Sequence, residues 1–185
     1  MPDPRPLNIV LIGYRGCGKS TVGRELAERL GFQHVDTDER IEAESRMTIS
    51  EIFSAEGERG FRLRENRTVD QVATMNDAVI SVGGGAVLLD ENVRSLKSNG
   101  VFVWLTATAE TLFHRISADE RSGDSRPPLT HIRGIGEVRK LLAEREPIYR
   151  RSADLIVETE RQSVRQVVDH IIAWAASRGL GSRQD

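Results

Sequence analysis

The chain has 185 residues, 38% of them hydrophobic, which suits one domain with an ordinary globular core. Its formal net charge of −2 gives no reason to expect nucleic acid or an anionic membrane as a partner, and we expect neither. A single cysteine, Cys17, excludes an internal disulfide and a zinc cluster, and no apolar segment has the length of a membrane span. We therefore expect a cytoplasmic monomer, one domain over 1–185 with frayed tails at 1–6 and 179–185.

The first predicted elements are a strand, a glycine-rich loop and a helix. Residues 7–12 are rich in branched apolar side chains, which is typical of a buried strand. Residues 13–20 read Gly-Tyr-Arg-Gly-Cys-Gly-Lys-Ser and fit the phosphate-binding pattern of Gly, four residues, Gly-Lys-Ser/Thr. In residues 21–30 apolar side chains spaced four apart form one helix face. This setting favours a nucleotide-binding loop over a turn that only caps a helix.

The residue types in this loop suit a polyphosphate. Its glycines can turn successive backbone N–H groups inward as an anion nest at a helix N-terminus. Lys19 would reach the β- and γ-phosphates, and the Ser20 hydroxyl would ligate Mg²⁺. The predicted ATP-binding residues of the loop are Gly16, Cys17, Gly18, Lys19, Ser20 and Thr21.

Strands and helices alternate through the rest of the chain. Further strands are predicted at 32–35, 78–82, 101–105 and 155–157. Helices are predicted at 39–46, from a capping box at Thr48 through Phe53, and at 60–75, 91–98, 109–118, 136–149 and from about 163. Residues 119–133 hold few apolar anchors and predict a long mobile loop. The alternation predicts a three-layer α/β/α sandwich around a parallel sheet, with ligands at the carboxyl ends of the strands.

Polar or glycine-rich segments follow two of these strands. Asp36 and Asp38 come after the second strand; one carboxylate could hold Mg²⁺ or its waters and the other could orient an attacking hydroxyl. A helix cap with an acidic first turn is the alternative. Three glycines at 83–85 end the third strand, where they allow a ligand close to the main chain or form a simple flexible turn.

Two arginines are candidates for binding an anionic substrate. Arg62 and Glu65 lie three apart and share a helix face. Arg62 could clamp a carboxylate through two parallel hydrogen bonds, and a solvated salt-bridge face is the alternative. Arg145, near a helix end, could reach another anionic group, although a lone charge is more often surface decoration.

Together these segments resemble shikimate kinases, in order and over nearly the whole chain. The matching set comprises residues 13–20, 36–38, 57–58, Phe61-Arg62 with Glu65, 83–87, Arg126-Pro127 and Arg145 with Tyr149-Arg150. The resemblance implies a P-loop kinase with sheet order 2-3-1-4-5 and a mobile lid at about 119–133. It also implies transfer of the ATP γ-phosphoryl group to the 3-hydroxyl of shikimate, in the biosynthesis of chorismate and aromatic amino acids.

The same resemblance implies a role for each matched residue. Lys19, Asp38 and Arg126 would be catalytic, with Arg126 closing over the ATP phosphates from the lid. The shikimate-binding residues would be Asp38, Arg62, Gly84 and Arg145. Ser20, with a water held by Asp36, would complete the Mg²⁺ site. ATP and shikimate are thus the expected partners, with Mg²⁺ as cofactor.

The sequence departs from the family pattern at two places, and two alternative functions remain. A second proline, Pro128, should stiffen the lid hinge, and either Arg161 or Gln162 could face the adenine. A gluconate kinase of the same fold is one alternative function, because gluconate also carries a carboxylate. A nucleotide switch or ATPase is the other; residues 86–91 imitate its apolar-run-then-Asp-Glu motif but follow the glycines instead of forming the preceding strand.

Overall fold

The central element of the fold is a parallel sheet. The computed structural model describes residues 8–118 and 134–180, and within them five strands run in the order β2-β3-β1-β4-β5. The strands are β1 (Asn8–Ile12), β2 (Gln33–Asp36), β3 (Ala78–Ser81), β4 (Gly100–Thr106) and β5 (Leu155–Glu158). All four pairings are parallel. The predicted α/β fold and the implied strand order are confirmed.

Helices cover both faces of the sheet. They are α1 (Lys19–Leu30), α2 (Thr37–Ser45), α3 (Ile49–Ala73), α4 (Asp90–Lys97), α5 (Ala109–Ala118), α6 (Ile135–Ser152) and α7 (Val164–Ser177). The predicted capping box between Thr48 and Glu51 opens α3, and Ser163 with Gln166 forms a second one before α7. Gly31, in the left-handed conformation, ends α1 as a glycine C-cap does.

The core is divided by the sheet into two layers. Strand β1 is central and completely buried, and its side chains alternate between the two faces. Ile9 and Leu11 pack with α1 and α7, whereas Val10 and Ile12 pack with α3 and α4. A third, smaller apolar cluster joins α2 to α3. Burial on both faces explains why the strand reads as a continuous apolar run instead of an alternating one.

Helix α3 contains both predicted helices, with a shorter interruption between them. The sequence predicts one helix ending at Phe53 and one over 60–75, and the structure has two helical segments within Ile49–Ala73 that meet at a kink. At the kink Gly57 has φ 69° and ψ −177°, a conformation that is essentially restricted to glycine. The interruption is therefore one residue long, and the helix after it carries the candidate Arg62 towards the sheet.

As predicted, residues 86–91 do not form a strand. Ala86–Leu88 is a 3-10 turn, and α4 starts at Asp90. Of the residues described, no helix has the length and apolar character needed to cross a bilayer. Of the predicted tail at 179–185, Gly179 and Leu180 donate their amides to carbonyls at the end of α7. The rest of that tail and the predicted tail at 1–6 lie outside the described residues.

Candidate active site

The glycine-rich loop joins the end of β1 to the start of α1. Gly13 has φ 138°, and a Cβ added there would lie 2.4 Å from the Leu105 carbonyl oxygen, so a side chain cannot be accommodated. Gly18, with φ 98°, is the N-cap of α1. The loop thus ends at a helix N-terminus, where backbone N–H groups and the helix dipole favour an anion.

The charged and hydroxyl side chains of the loop are held by short contacts. Lys19 Nζ donates to the carbonyl oxygens of Gly13 at 2.8 Å and Tyr14 at 3.1 Å. Cys17 is buried, and its Sγ lies 3.7 Å from Lys19 Nζ. These contacts hold the lysine ammonium over the loop, where it can bind phosphate oxygens as a point charge.

Asp36 fits both alternatives that the sequence left open, a helix cap and a carboxylate that could hold Mg²⁺ or its waters. Its Oδ1 accepts from the amide of Asp38 at 3.0 Å and so caps α2, while its Oδ2 accepts a 2.7 Å hydrogen bond from Ser20 Oγ. Carboxylate and hydroxyl oxygens are ligands that suit Mg²⁺. Among the described residues no group of three or more His, Cys, Asp and Glu could hold a metal ion.

Two adjoining cavities occupy the carboxyl end of the sheet. The larger, about 580 Å³, is lined by residues 15–22 and also by Asp36, Asp38, Val82, Gly84, Arg115, Thr159, Gln162, Val164 and Val167. The smaller, about 40 Å³, is lined by Asp38, Ile49, Phe53, Phe61, Arg62, Glu65, Gly83, Gly84, Gly85 and Arg145. Asp38 and Gly84 belong to both linings. The loop and the two candidate arginines therefore face one crevice with two compartments.

Arg62 is fixed at the smaller cavity by carboxylates. Its Nη1 donates to Glu65 Oε2 at 2.7 Å, and its Nη2 lies 3.4 Å from Glu58 Oε1. The Arg62 side chain is 20% exposed and that of Glu65 only 1%, so this is not the solvated salt-bridge face that was the alternative. Burial raises the pKa of Glu65, and the adjacent Arg62 opposes that rise. The pair keeps a guanidinium at the cavity wall.

Arg145 reaches the same cavity from α6. It is 9% exposed, and its guanidinium carbon lies 5.6 Å from the centre of the Tyr14 ring. One turn further along, the Tyr149 hydroxyl donates to the Gly84 carbonyl oxygen at 2.5 Å. Burial raises the pKa of Tyr149, which keeps the hydroxyl protonated as the donor. Arg145 is thus a buried charge at the site and not surface decoration.

Gly83 and Gly85 are required because side chains pack closely against them. A Cβ on Gly83 would lie 3.0 Å from both Asp38 Oδ1 and Glu65 Oε1, and one on Gly85 would lie 2.6 Å from Arg62 Nη2. The segment is also hydrogen-bonded, since the Gly83 amide donates to Thr37 Oγ1 at 3.2 Å. The glycine segment therefore packs closely against acidic and basic side chains and is not a loose turn.

Arg115 is a residue of the larger cavity that the sequence did not predict. Arg115 in α5 donates from Nη1 to Thr159 Oγ1 and from Nη2 to the Thr159 carbonyl oxygen, both at 3.0 Å. The helical pattern alone gave no signal for it, because its partner follows β5, far along the chain. Gln162 lines this cavity and Arg161 is not among the described residues that do. Arg126 and the lid at 119–133 lie outside the described residues.

The chain was compared with protein families and with curated relatives. Residues 15–176 match the family model described as shikimate kinase. A shikimate kinase from Symbiobacterium thermophilum is 44% identical over 173 residues, which cover 94% of this chain and 98% of that protein. A shikimate kinase from Rhodopirellula baltica is 38% identical, with 95% and 94% covered.

Solved structures give the same result. A shikimate kinase from Acinetobacter baumannii in complex with shikimate has a TM-score of 0.87 and 35% identity, covering 96% of this chain and 97% of that one. A gluconokinase from Sinorhizobium meliloti has a TM-score of 0.56 and 17% identity, with 94% of each chain covered. At that identity the gluconokinase shares the fold, and its likeness says nothing about substrate.

Proposed function

Since the chain belongs to the shikimate kinase family, we propose that it transfers the γ-phosphoryl group of ATP to the 3-hydroxyl of shikimate. The products are ADP and shikimate 3-phosphate, on the route to chorismate and the aromatic amino acids. One observation carries the proposal most strongly: the nucleotide-sized cavity and the smaller cavity share Asp38 and Gly84. A donor phosphate and an acceptor hydroxyl can therefore meet at these two residues.

The smaller cavity suits a hydroxylated acid. Arg62 and Arg145 would pair with the shikimate carboxylate through charge-assisted hydrogen bonds, which are stronger than neutral ones. Asp38 would bind the ring hydroxyls at the opposite end, next to the nucleotide. The backbone of Gly84 would approach the ring, because no side chain stands between it and the cavity. A neutral polyol would offer neither arginine an anionic group of the substrate.

Transfer would depend mainly on placing groups and stabilising charge. The 3-hydroxyl oxygen forms a bond to the γ-phosphorus as the bond to the β,γ-bridging oxygen breaks, and Asp38 accepts the hydroxyl proton. Lys19 would bind β- and γ-oxygens, where negative charge develops in a loose transition state. Ser20 and a water on Asp36 would hold Mg²⁺, which would supply positive charge to neutralise the phosphates. Arg126 as a lid residue, the single-domain organisation and a cytoplasmic monomer stay predictions.

The test is a coupled assay of ADP release with a panel of acceptors. We expect turnover with shikimate to exceed turnover with gluconate by about 100-fold or more, since matched hydrogen-bonding sites reject analogues strongly. Phosphorus NMR of the product should place the phosphate on the 3-hydroxyl. Equal turnover with gluconate would favour the gluconate kinase alternative. ATP hydrolysis that ignores every acceptor, or a preference for GTP, would indicate a nucleotide switch.

A further inference from the structure

Arg15, in the middle of the phosphate-binding loop, lines the larger cavity but was given no role above. Its Nε is buried and has no hydrogen-bond partner among the described residues. A buried donor without a partner costs free energy, so native structures keep such groups chiefly where a ligand or a functional contact satisfies them. Arg15 and its neighbour Tyr14, whose buried hydroxyl also lacks such a partner, are therefore the residues of this loop whose side chains need an explanation.

The neighbouring arginines are fixed by protein groups. Arg62 is held by Glu65 and Glu58, and Arg115 is held by Thr159. No carboxylate of residues 8–118 or 134–180 lies within salt-bridge distance of the Arg15 guanidinium. A guanidinium that stays charged at all physiological pH values and lacks a carboxylate partner is suited to an anionic ligand.

Arg15 lies near one end of the nucleotide cavity. Arg115 and Thr159 line one end, whereas Asp38 and Gly84 line the end that opens onto the acceptor cavity. The Arg15 amide nitrogen lies only 3.5 Å from where a Cβ on Gly84 would be, so the Arg15 backbone lies at the end of the larger cavity that adjoins the acceptor cavity. With the nucleotide's phosphates on the loop, the terminal phosphate is the group that reaches this end.

The packing of Tyr14 supports this placement. Its ring is buried beside Arg145 of the acceptor cavity. Burial raises the pKa of Tyr14, while the positive charges of Arg15 and Arg145 oppose the rise and the negative charge of Glu137 adds to it. Both arginine charges therefore act on the Tyr14 hydroxyl, and Tyr14 packs against Arg145 of the acceptor cavity.

We propose that Arg15 binds the terminal phosphate of the nucleotide and follows it as it is transferred, so that it distinguishes ATP from ADP. It would act with Lys19, which approaches the same phosphates from the start of α1. Its planar fork can hold two oxygens of a phosphate, a geometry that lysine does not offer. The inference rests on the proposed function only in requiring a nucleoside triphosphate as donor.

The test compares two nucleotides in Arg15→Met and the parent protein by calorimetry with Mg²⁺ present. For a non-hydrolysable ATP analogue, the dissociation constant should rise about 10- to 100-fold, which is the range for losing a charged hydrogen bond. For ADP it should change less than about 3-fold, since no β-phosphate contact is removed. Equal losses for both nucleotides, or no loss for either, would overturn the proposal.

Two further variants keep the test decisive. Arg24→Met removes an exposed arginine of α1 that pairs with Glu39 and does not line the nucleotide cavity, so both dissociation constants should stay unchanged. Arg15→Lys keeps the charge and should recover part of the preference for the triphosphate. If Arg15→Met does not fold, Arg15→Lys and Arg15→Gln carry the comparison. None of these measurements needs an acceptor, so their outcome is independent of whether shikimate is the substrate.

Discussion

The two compartments of the crevice are built in different ways. The nucleotide compartment, about 580 Å³, takes half of its lining from one continuous stretch, residues 15–22. The acceptor compartment, about 40 Å³, draws its lining from α2, α3, α6 and the glycines after β3. The first relies on backbone N–H groups and a lysine; the second relies on side chains packed against one another and against glycine.

Because of this difference, mutations in the two compartments should affect different properties of the enzyme, namely use of the donor and recognition of the acceptor. Changes in the loop should impair use of the phosphate donor whatever the acceptor. Changes in the acceptor compartment should alter recognition of the acid and leave the nucleotide unaffected, because only Asp38 and Gly84 line both. Separate responses of the two Michaelis constants would therefore support the division.

The largest effect is expected from Lys19→Met on the nucleotide side. The ammonium that neutralises charge on the migrating group is removed, so kcat should fall about 10²- to 10³-fold. The KM for shikimate should stay close to that of the parent, since Lys19 does not line the acceptor compartment. Steady-state kinetics measure both constants, and circular dichroism during heating checks the fold. A rise in the shikimate KM with kcat intact would contradict the division.

On the acceptor side, Arg62→Ala should raise the shikimate KM about 100-fold, the usual cost of losing a buried charged contact. The ATP KM should change less than about 3-fold. Arg64→Ala is the matched control, because Arg64 pairs with Glu56 on the same helix and lines neither compartment.

Loss of Arg62 also leaves Glu65 buried without its cation. The double variant Arg62→Met with Glu65→Gln removes that charge and separates substrate binding from stability. A shikimate KM that returned to the parent value in the double variant would remove Arg62 from the substrate site.

Gly85→Ala should give a smaller effect of the same kind. The added methyl would lie 2.6 Å from Arg62 Nη2, and the end of a long side chain can move away without unfolding the protein. We expect the shikimate KM to rise about 10-fold, with the melting temperature lowered by only a few degrees. Kinetics and a thermal melt on one sample measure both. A large loss of stability with an unchanged KM would show that the glycine serves the fold alone.

The smallest expected effect concerns hydrogen bonds that link His34 and Ser81 to the start of α1. His34 Nε2 lies 3.1 Å from Ser81 Oγ, which donates to the Lys19 carbonyl oxygen. Burial lowers the pKa of His34 below its ordinary value of 6.5; the charges of Asp36 and Glu39 oppose this shift, and that of Arg24 adds to it. The unfolded chain therefore takes up the proton first, and stability should fall as the pH drops below 6.5 towards the folded-state pKa.

His34→Gln removes this contribution. Urea unfolding at several pH values from 8 to 5 should give a flatter curve of stability against pH than the parent protein. The exposed His170→Gln is the matched control and should follow the parent. Parallel curves for His34→Gln and the parent would show that His34 has no part in the pH dependence.

The sequence predicted the nucleotide side better than the acceptor side for a physical reason. Residues 13–20 are contiguous, so pattern and flanking elements specify both their conformation and their ligand. The kink at Gly57 depends on one residue's backbone angles, which spacing does not reveal, and so the sequence places the break between the two helices over 54–59 and not at one residue. Arg115 was missed because its contact to Thr159 exists only after β5 joins the sheet.

The most direct test is a crystal structure of the protein with shikimate and ADP. If the two compartments form one crevice, the shikimate carboxylate will lie against Arg62 and Arg145, a hydroxyl will contact Asp38, and the ADP phosphates will lie on residues 16–20. Shikimate bound outside the smaller compartment, or phosphates bound away from the loop, would contradict the account.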